Sequence, residues 1–150
     1  MVKKHEHDVL ATDLVDRGSD NVISGIDFLD LTQKQRELIL KWGWQHDFDI
    51  VTNPAYKIAL PSVLKALEYI SAHNHVIMFL KTTFLEGKTR KKLLFDVNPP
   101  RYIYQFSERV YCAKNGDFDY MKSHGGSAVA YCFMIWQKEN PKKITEVRWL

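Results

Sequence analysis

Cysteine is scarce: Cys112 and Cys132 are the only two in 150 residues. Their separation fits no metal-ligand spacing, and two distant cysteines exclude a disulfide-framework fold. Both read as reduced thiols of an intracellular protein, with a cytoplasmic location as the expectation. No apolar run reaches membrane-spanning length, and the N-terminus lacks the apolar core of a signal peptide. Excess charge is also small. Lys and Arg number 21 against 18 Asp and Glu, a net +3, which permits nucleic-acid contact without demanding it. No glycine precedes Gly18. What is present suits one globular domain over 1–150, with 1–8 polar and loose: 45% hydrophobic residues supply a core and 26% charged residues cover it.

The stretch Phe48-Asp49-Ile50-Val51-Thr52-Asn53-Pro54-Ala55-Tyr56 organises the chain. Phe48, Ile50 and Val51 read as a short buried strand. Asn53-Pro54 ends it, because proline donates no ladder hydrogen bond and pushes the preceding residue to an extended conformation. A polar amide and an aromatic ring therefore stand at the C-terminal end of a strand, the edge at which open α/β sheets bind ligands.

Asn53-Pro54-Ala55-Tyr56 resembles the Asn/Asp-Pro-Pro-Tyr/Phe signature of amino-group DNA methyltransferases that use S-adenosylmethionine, above all the N6-adenine enzymes of phage and prophage type. Val9–Leu14, Gly25–Leu29, Phe79–Lys81 with Phe84–Lys88, and Ala130–Trp136 resemble further segments of that family in the same order. The resemblance implies an α/β fold with a three-layer, mostly parallel sheet. Two departures stand out. Ala55 replaces the second proline, and Met1–Asp8 is too short for the family's first strand and glycine-rich cofactor turn, so the chain resembles a member truncated at its N-terminus. A homo-oligomer or a protein partner that completes the sheet is then expected.

The resemblance also implies roles. Asn53 and Pro54 would accept hydrogen bonds from an adenine amine, and Tyr56 would stack on the flipped base. Asp13 would hold the ribose hydroxyls of S-adenosylmethionine, a task suited to a carboxylate that accepts two bonds; a plain turn residue is the alternative. Asp27 and Phe28 would border the cofactor's adenine, with Phe28 as mere core the alternative. Lys81, Lys88, Arg90 and Lys91 belong to the most basic stretch and would neutralise DNA phosphates, or form a solvated helix face. A degenerate member that binds DNA or a host defence complex without turnover is the competing reading.

The remaining chain supports this frame. Thr32 caps a helix from Gln33 to about Trp42 with Leu38 and Ile39 inward, and Trp42, Trp44 and Phe48 cluster. Leu60, Val63, Leu64 and Leu67 recur at helical spacing with Pro61 in the first turn. Val76–Leu80 reads as a strand covered on both faces. His73-Asn74-His75 reads as a turn rather than a nuclease motif. Lys88–Phe95 reads as a short helix with Leu93 and Leu94 inward. Asn98-Pro99-Pro100-Arg101 imitates the signature but precedes a strand, Tyr102–Phe106, and stiffens the way into it. Ala113–Ser127 is a polar loop region whose Asp117, Phe118, Tyr120, Lys122 and His124 suit contact with nucleic acid or a partner. Ala128–Gln137 and Ile144–Leu150 close the chain as strands.

Overall fold

The computed structural model describes residues 8–112, 118–123 and 129–150, without the side chains of 44–46 and 120–122. Most of the Ala113–Ser127 loop, including Asp117 and His124, lies outside the described residues. So do 1–7 and the side chains of Trp44, Tyr120 and Lys122. The chain forms two compact units, divided between Phe48 and Asp49.

In the first unit Val9–Leu14, and a segment within Val22–Leu29, have the sequence of strands but form only one parallel bridge, between Thr12 and Ile23. Local turns explain why. The Asp13 carboxylate accepts from the Val15 N–H at 3.0 Å, Gly25 sits at φ +76°, and Asp27 accepts from the Leu29 N–H at 2.9 Å. Each of these bends the backbone out of extension. Helix α1 (Gln33–His46) opens with a reciprocal capping box. The Gln35 N–H donates to Thr32 Oγ1 at 3.3 Å, and the Thr32 N–H donates to Gln35 Oε1 at 2.9 Å. The helix runs past the expected stop at Trp42, through Gly43. A Cβ at Gly43 would overlap the Phe48 ring, so this position needs glycine for close approach. Trp42 meets Phe48 edge-on at 5.7 Å. Leu38, expected inward, is exposed, while Ile39 and Leu40 are half-buried.

The second unit carries a five-stranded sheet in the order β1 (Ile50–Thr52), β2 (His75–Lys81), β4 (Tyr131–Gln137), β3 (Tyr102–Gln105), β5 (Glu146–Trp149). β1 pairs with β2 and β3 with β5 in parallel, and β4 lies antiparallel between β2 and β3. Four strands thus share one direction and only β4 is reversed. The expected α/β, mostly parallel sheet is present. Two expectations about it change. β1 is an edge strand, not an inner one, and its Val51 is 67% exposed. β2 is fully covered on one face only: Val76, Met78 and Leu80 are buried, while Ile77 and Phe79 on the other face are half-buried.

The registers align the buried face of β2 with Cys132, Met134 and Trp136 of β4 and with Ile103 of β3. Helix α2 (Ala59–Tyr69) packs on β2 and buries Ala59, Ser62, Val63 and Ala66. Pro61 sits in its first turn, where no internal N–H bond is required. After β2 the chain makes a 3₁₀ turn (Thr82–Leu85) and then helix α3 (Lys88–Arg90), which widens into a π turn over Lys91–Phe95. The Asp96 N–H reaches the Lys91 carbonyl at 2.8 Å, five residues back. That widening shifts the helical phase. Leu94 is 1% exposed and packs inward, but Leu93, expected beside it, is 47% exposed. Phe84 contacts both Phe95 and Trp136 edge-to-face. Asn98 donates to the Gln137 and Lys138 carbonyls at 3.0 and 3.1 Å, and Pro99 and Pro100 are buried against the start of β3. The imitation signature is thus a structural brace. A short helix α4 (Phe118–Ser123) precedes β4.

Candidate functional site

The signature segment leaves the sheet at the C-terminal edge of the parallel β1–β2 pair. Thr52 is the last residue of β1, and Asn53, which follows it, is exposed while Pro54 is buried. Ala55 stays extended at φ −57°, ψ 135°, and Tyr56 begins a 3₁₀ turn (Tyr56–Ile58) that feeds α2. The tight turn sets the Tyr56 ring beside the strand end, where it remains 47% exposed.

Two side chains meet on Tyr56. Lys81 Nζ lies 3.9 Å from its centroid, a cation–π contact of about 0.5–2 kcal/mol. The Tyr56 hydroxyl donates to the Tyr131 hydroxyl at 3.0 Å. Tyr131 in turn stacks on Phe79, with centroids 5.1 Å apart and planes 8° from parallel. The antiparallel register sets Lys81 opposite Tyr131, so both arrive from neighbouring strand ends. Burial pushes the Tyr131 phenol well above its ordinary range. It therefore stays neutral and serves as a hydrogen-bonding group.

Tyr56, Ala59, Leu80, Lys81, Thr83, Phe84 and Arg90 line a hollow of about 190 Å³. That is below the roughly 300 Å³ at which pockets for drug-sized ligands begin. A second hollow of about 220 Å³ lies at the C-terminal end of β3, lined by Gln105–Val110, Ala130 and Tyr131. The hydroxyl-bonded tyrosine pair joins the two.

The expected phosphate-binding residues divide. Lys81 and Arg90 border the first hollow. Arg90 is held in place: its Nε donates to the Phe84 carbonyl at 2.7 Å, and its guanidinium lies 5.2 Å from the Phe84 ring. Lys91 grips both oxygens of Asp96 at 2.6 and 2.8 Å, and Lys88 is exposed. Asn53 and Pro54 do not line the hollow, whereas Tyr56 does.

Asp13, Asp27 and Phe28 belong to the first unit. Both Asp13 oxygens are engaged, one by the Val15 N–H and one by Arg17 Nε, each at 3.0 Å. Those donors hold its carboxyl below the usual range. Asp27 closes its own turn onto Leu29, and Phe28 is half-buried. Among the described residues no glycine-rich turn joins a strand to a helix N-terminus. The described residues do not build a cradle for S-adenosylmethionine. Nor does any described group of His, Cys, Asp or Glu suit a metal ion.

Sequence reading missed Tyr131 and Phe84 as parts of the site. Tyr131 was legible only as a strand residue; the available signal was its place at the start of an apolar run that could pair with Phe79–Lys81. Phe84 stands three residues beyond Lys81, a spacing at which a 3₁₀ turn returns a side chain to the strand end.

No family model matches the sequence, and no curated protein does. Among solved structures, the chain is similar to a Listeria monocytogenes protein provisionally described as a class I S-adenosylmethionine-dependent methyltransferase. Identity is 9% and the TM-score 0.40, over 61% of this chain and 26% of that one. The chain thus spans about a quarter of that protein's length.

Proposed function

We propose that this chain is a methyltransferase-like protein that holds an adenine base of DNA at the Asn53–Tyr56 edge. The observation that carries the reading is the hollow beside the Tyr56 ring, with Lys81 and Arg90 on its rim, at the C-terminal edge of the parallel strand pair. The phenol ring offers a stacking plane to a planar base. The exposed Asn53 amide, three residues upstream, offers an acceptor for an exocyclic amine. Two cations at the rim favour an approaching phosphate. The N6-adenine specificity comes from the resemblance of Asn53-Pro54-Ala55-Tyr56 to the amino-group methyltransferase signature. The engaged carboxylates of Asp13 and Asp27 favour base binding without turnover by this chain.

The test is a fluorescence anisotropy titration with DNA carrying an unpaired adenine, set against the same strand with thymine in its place. Tyr56→Ala should weaken adenine binding about 5- to 150-fold, the equivalent of roughly 1–3 kcal/mol of stacking. Equal affinity for both strands, or an unaltered constant in Tyr56→Ala, defeats the proposal. Tritium transfer from labelled S-adenosylmethionine to the adenine strand would show instead that turnover occurs.

A further inference from the structure

Strand β5 is the other edge of the sheet. Among the described residues it pairs with β3 alone. The Glu146 N–H donates to the Arg101 carbonyl at 3.1 Å, and the Leu150 N–H donates to the Gln105 carbonyl at 2.9 Å. In a parallel ladder, residues 146, 148 and 150 therefore turn their backbone groups toward β3, while Val147 and Trp149 turn theirs to the open edge. Both carry apolar side chains, with Val147 49% and Trp149 70% exposed. An open edge with exposed apolar side chains is a template for another strand. β5 has no proline, no lysine and no bulge in its register; its protections are its four-residue length and the charges of Glu146 and Arg148.

The charges choose the partner. We infer that β5 pairs antiparallel with β5 of a second copy of this chain, about a two-fold axis through Val147, to make one continuous ten-stranded sheet. Bonded pairs require outward residues to face outward residues, so the axis falls on 146, 147 or 148. An axis on Glu146 sets it against its own copy, and an axis on Arg148 does the same for arginine; like charges directly opposite are destabilising. An axis on Val147 sets Glu146 against the partner's Arg148 twice, joins the two valines, and places each Trp149 beside the partner's Thr145. Glu146 and Arg148 already share a 3.0 Å contact within one chain. Both side chains remain accessible at 40% and 50%, so they can serve across the interface. The self-pairing satisfies backbone, apolar and charged groups in one register.

The experiment is sedimentation velocity on the full chain. The wild type should sediment at twice the mass of one chain. Val147→Pro removes an outward N–H that β3 does not use, and should yield a folded monomer with at least tenfold weaker self-association. Because a proline could still disturb folding, the register has its own test. Arg148→Glu and Glu146→Arg should each be monomeric, and their equimolar mixture should form a dimer, since only the mixed pair opposes unlike charges. A monomeric wild type, a dimer that survives Val147→Pro, or a mixture that stays monomeric overturns the inference. The outcome is independent of adenine binding, which lies at the far strand ends.

Discussion

The hydroxyl bridge between Tyr56 and Tyr131 makes an asymmetric prediction. Tyr131 is 6% exposed and Tyr56 is 47% exposed. Tyr131→Phe leaves the Tyr56 hydroxyl with access to water, so the loss is that of an ordinary net hydrogen bond, about 0.5–1 kcal/mol. The stack on Phe79, 5.1 Å between centroids, is kept. Tyr56→Phe removes the donor and leaves the buried Tyr131 phenol with Cys112 as its remaining partner, which costs about 1–2 kcal/mol. The double variant should cost less than the sum by about 1 kcal/mol, since the second change removes a group that has already lost this bond. Urea denaturation of the four proteins at neutral pH measures each quantity. If Tyr131→Phe is the more costly single change, or if the two changes add within about 0.3–0.5 kcal/mol, the bridge is not the contact described and the join between the two hollows is lost.

Alkali should unfold the protein in steps that a thiol reveals. Burial pushes Cys132 from 9.0 up to about 11. Because its folded-state value is raised, the folded chain keeps the proton longer; stability is whole below pH 9 and falls as pH rises through 11. Two units correspond to roughly 2–3 kcal/mol. Urea midpoints between pH 8 and about 11 should therefore fall less steeply in Cys132→Ala, and an unchanged slope refutes the assignment. The π turn yields a second test. Leu94→Ala should destabilise by about 2–5 kcal/mol and Leu93→Ala by about 0.5 kcal/mol or less, with thermal melts deciding; equal losses would mean that the helical phase is not shifted.

Much of this arrangement was legible. The strand from Val76 announced itself by unbroken apolar content, those from Tyr102 and Ala128 by aromatic and apolar richness, and Thr32 offered the cap of a helix. Asn53-Pro54 marked the strand end and Tyr56 its aromatic neighbour, because proline and turn chemistry act locally. What escaped was set by distance along the chain. Nothing within Ile50–Thr52 says that it lies at an edge, since edge or centre depends on which strands pair. Leu93 and Leu94 are adjacent and equally apolar, so one extra residue in the turn decides which is buried. Val9–Leu14 carried the composition of a strand, but the Asp13 carboxylate turns the chain onto Val15 and Arg17, so its backbone pairing stops at Ile23 and Ile26. Tyr131 could be placed at the site only after its register with Lys81 was known.

The reversed strand imposes an order on synthesis. As the chain leaves the ribosome, β1 meets β2 within a few dozen residues, and that pair can zip with α2 folded over it. β3 has no such fortune. Both its neighbours, β4 and β5, are translated after it, so a tyrosine-rich ribbon with two bare rims waits through more than twenty residues of further elongation. During that interval the nascent chain is at its most vulnerable to a wrong partner or a protease. Slowing elongation just past β3 should lower the yield of native protein more than slowing it just past β2.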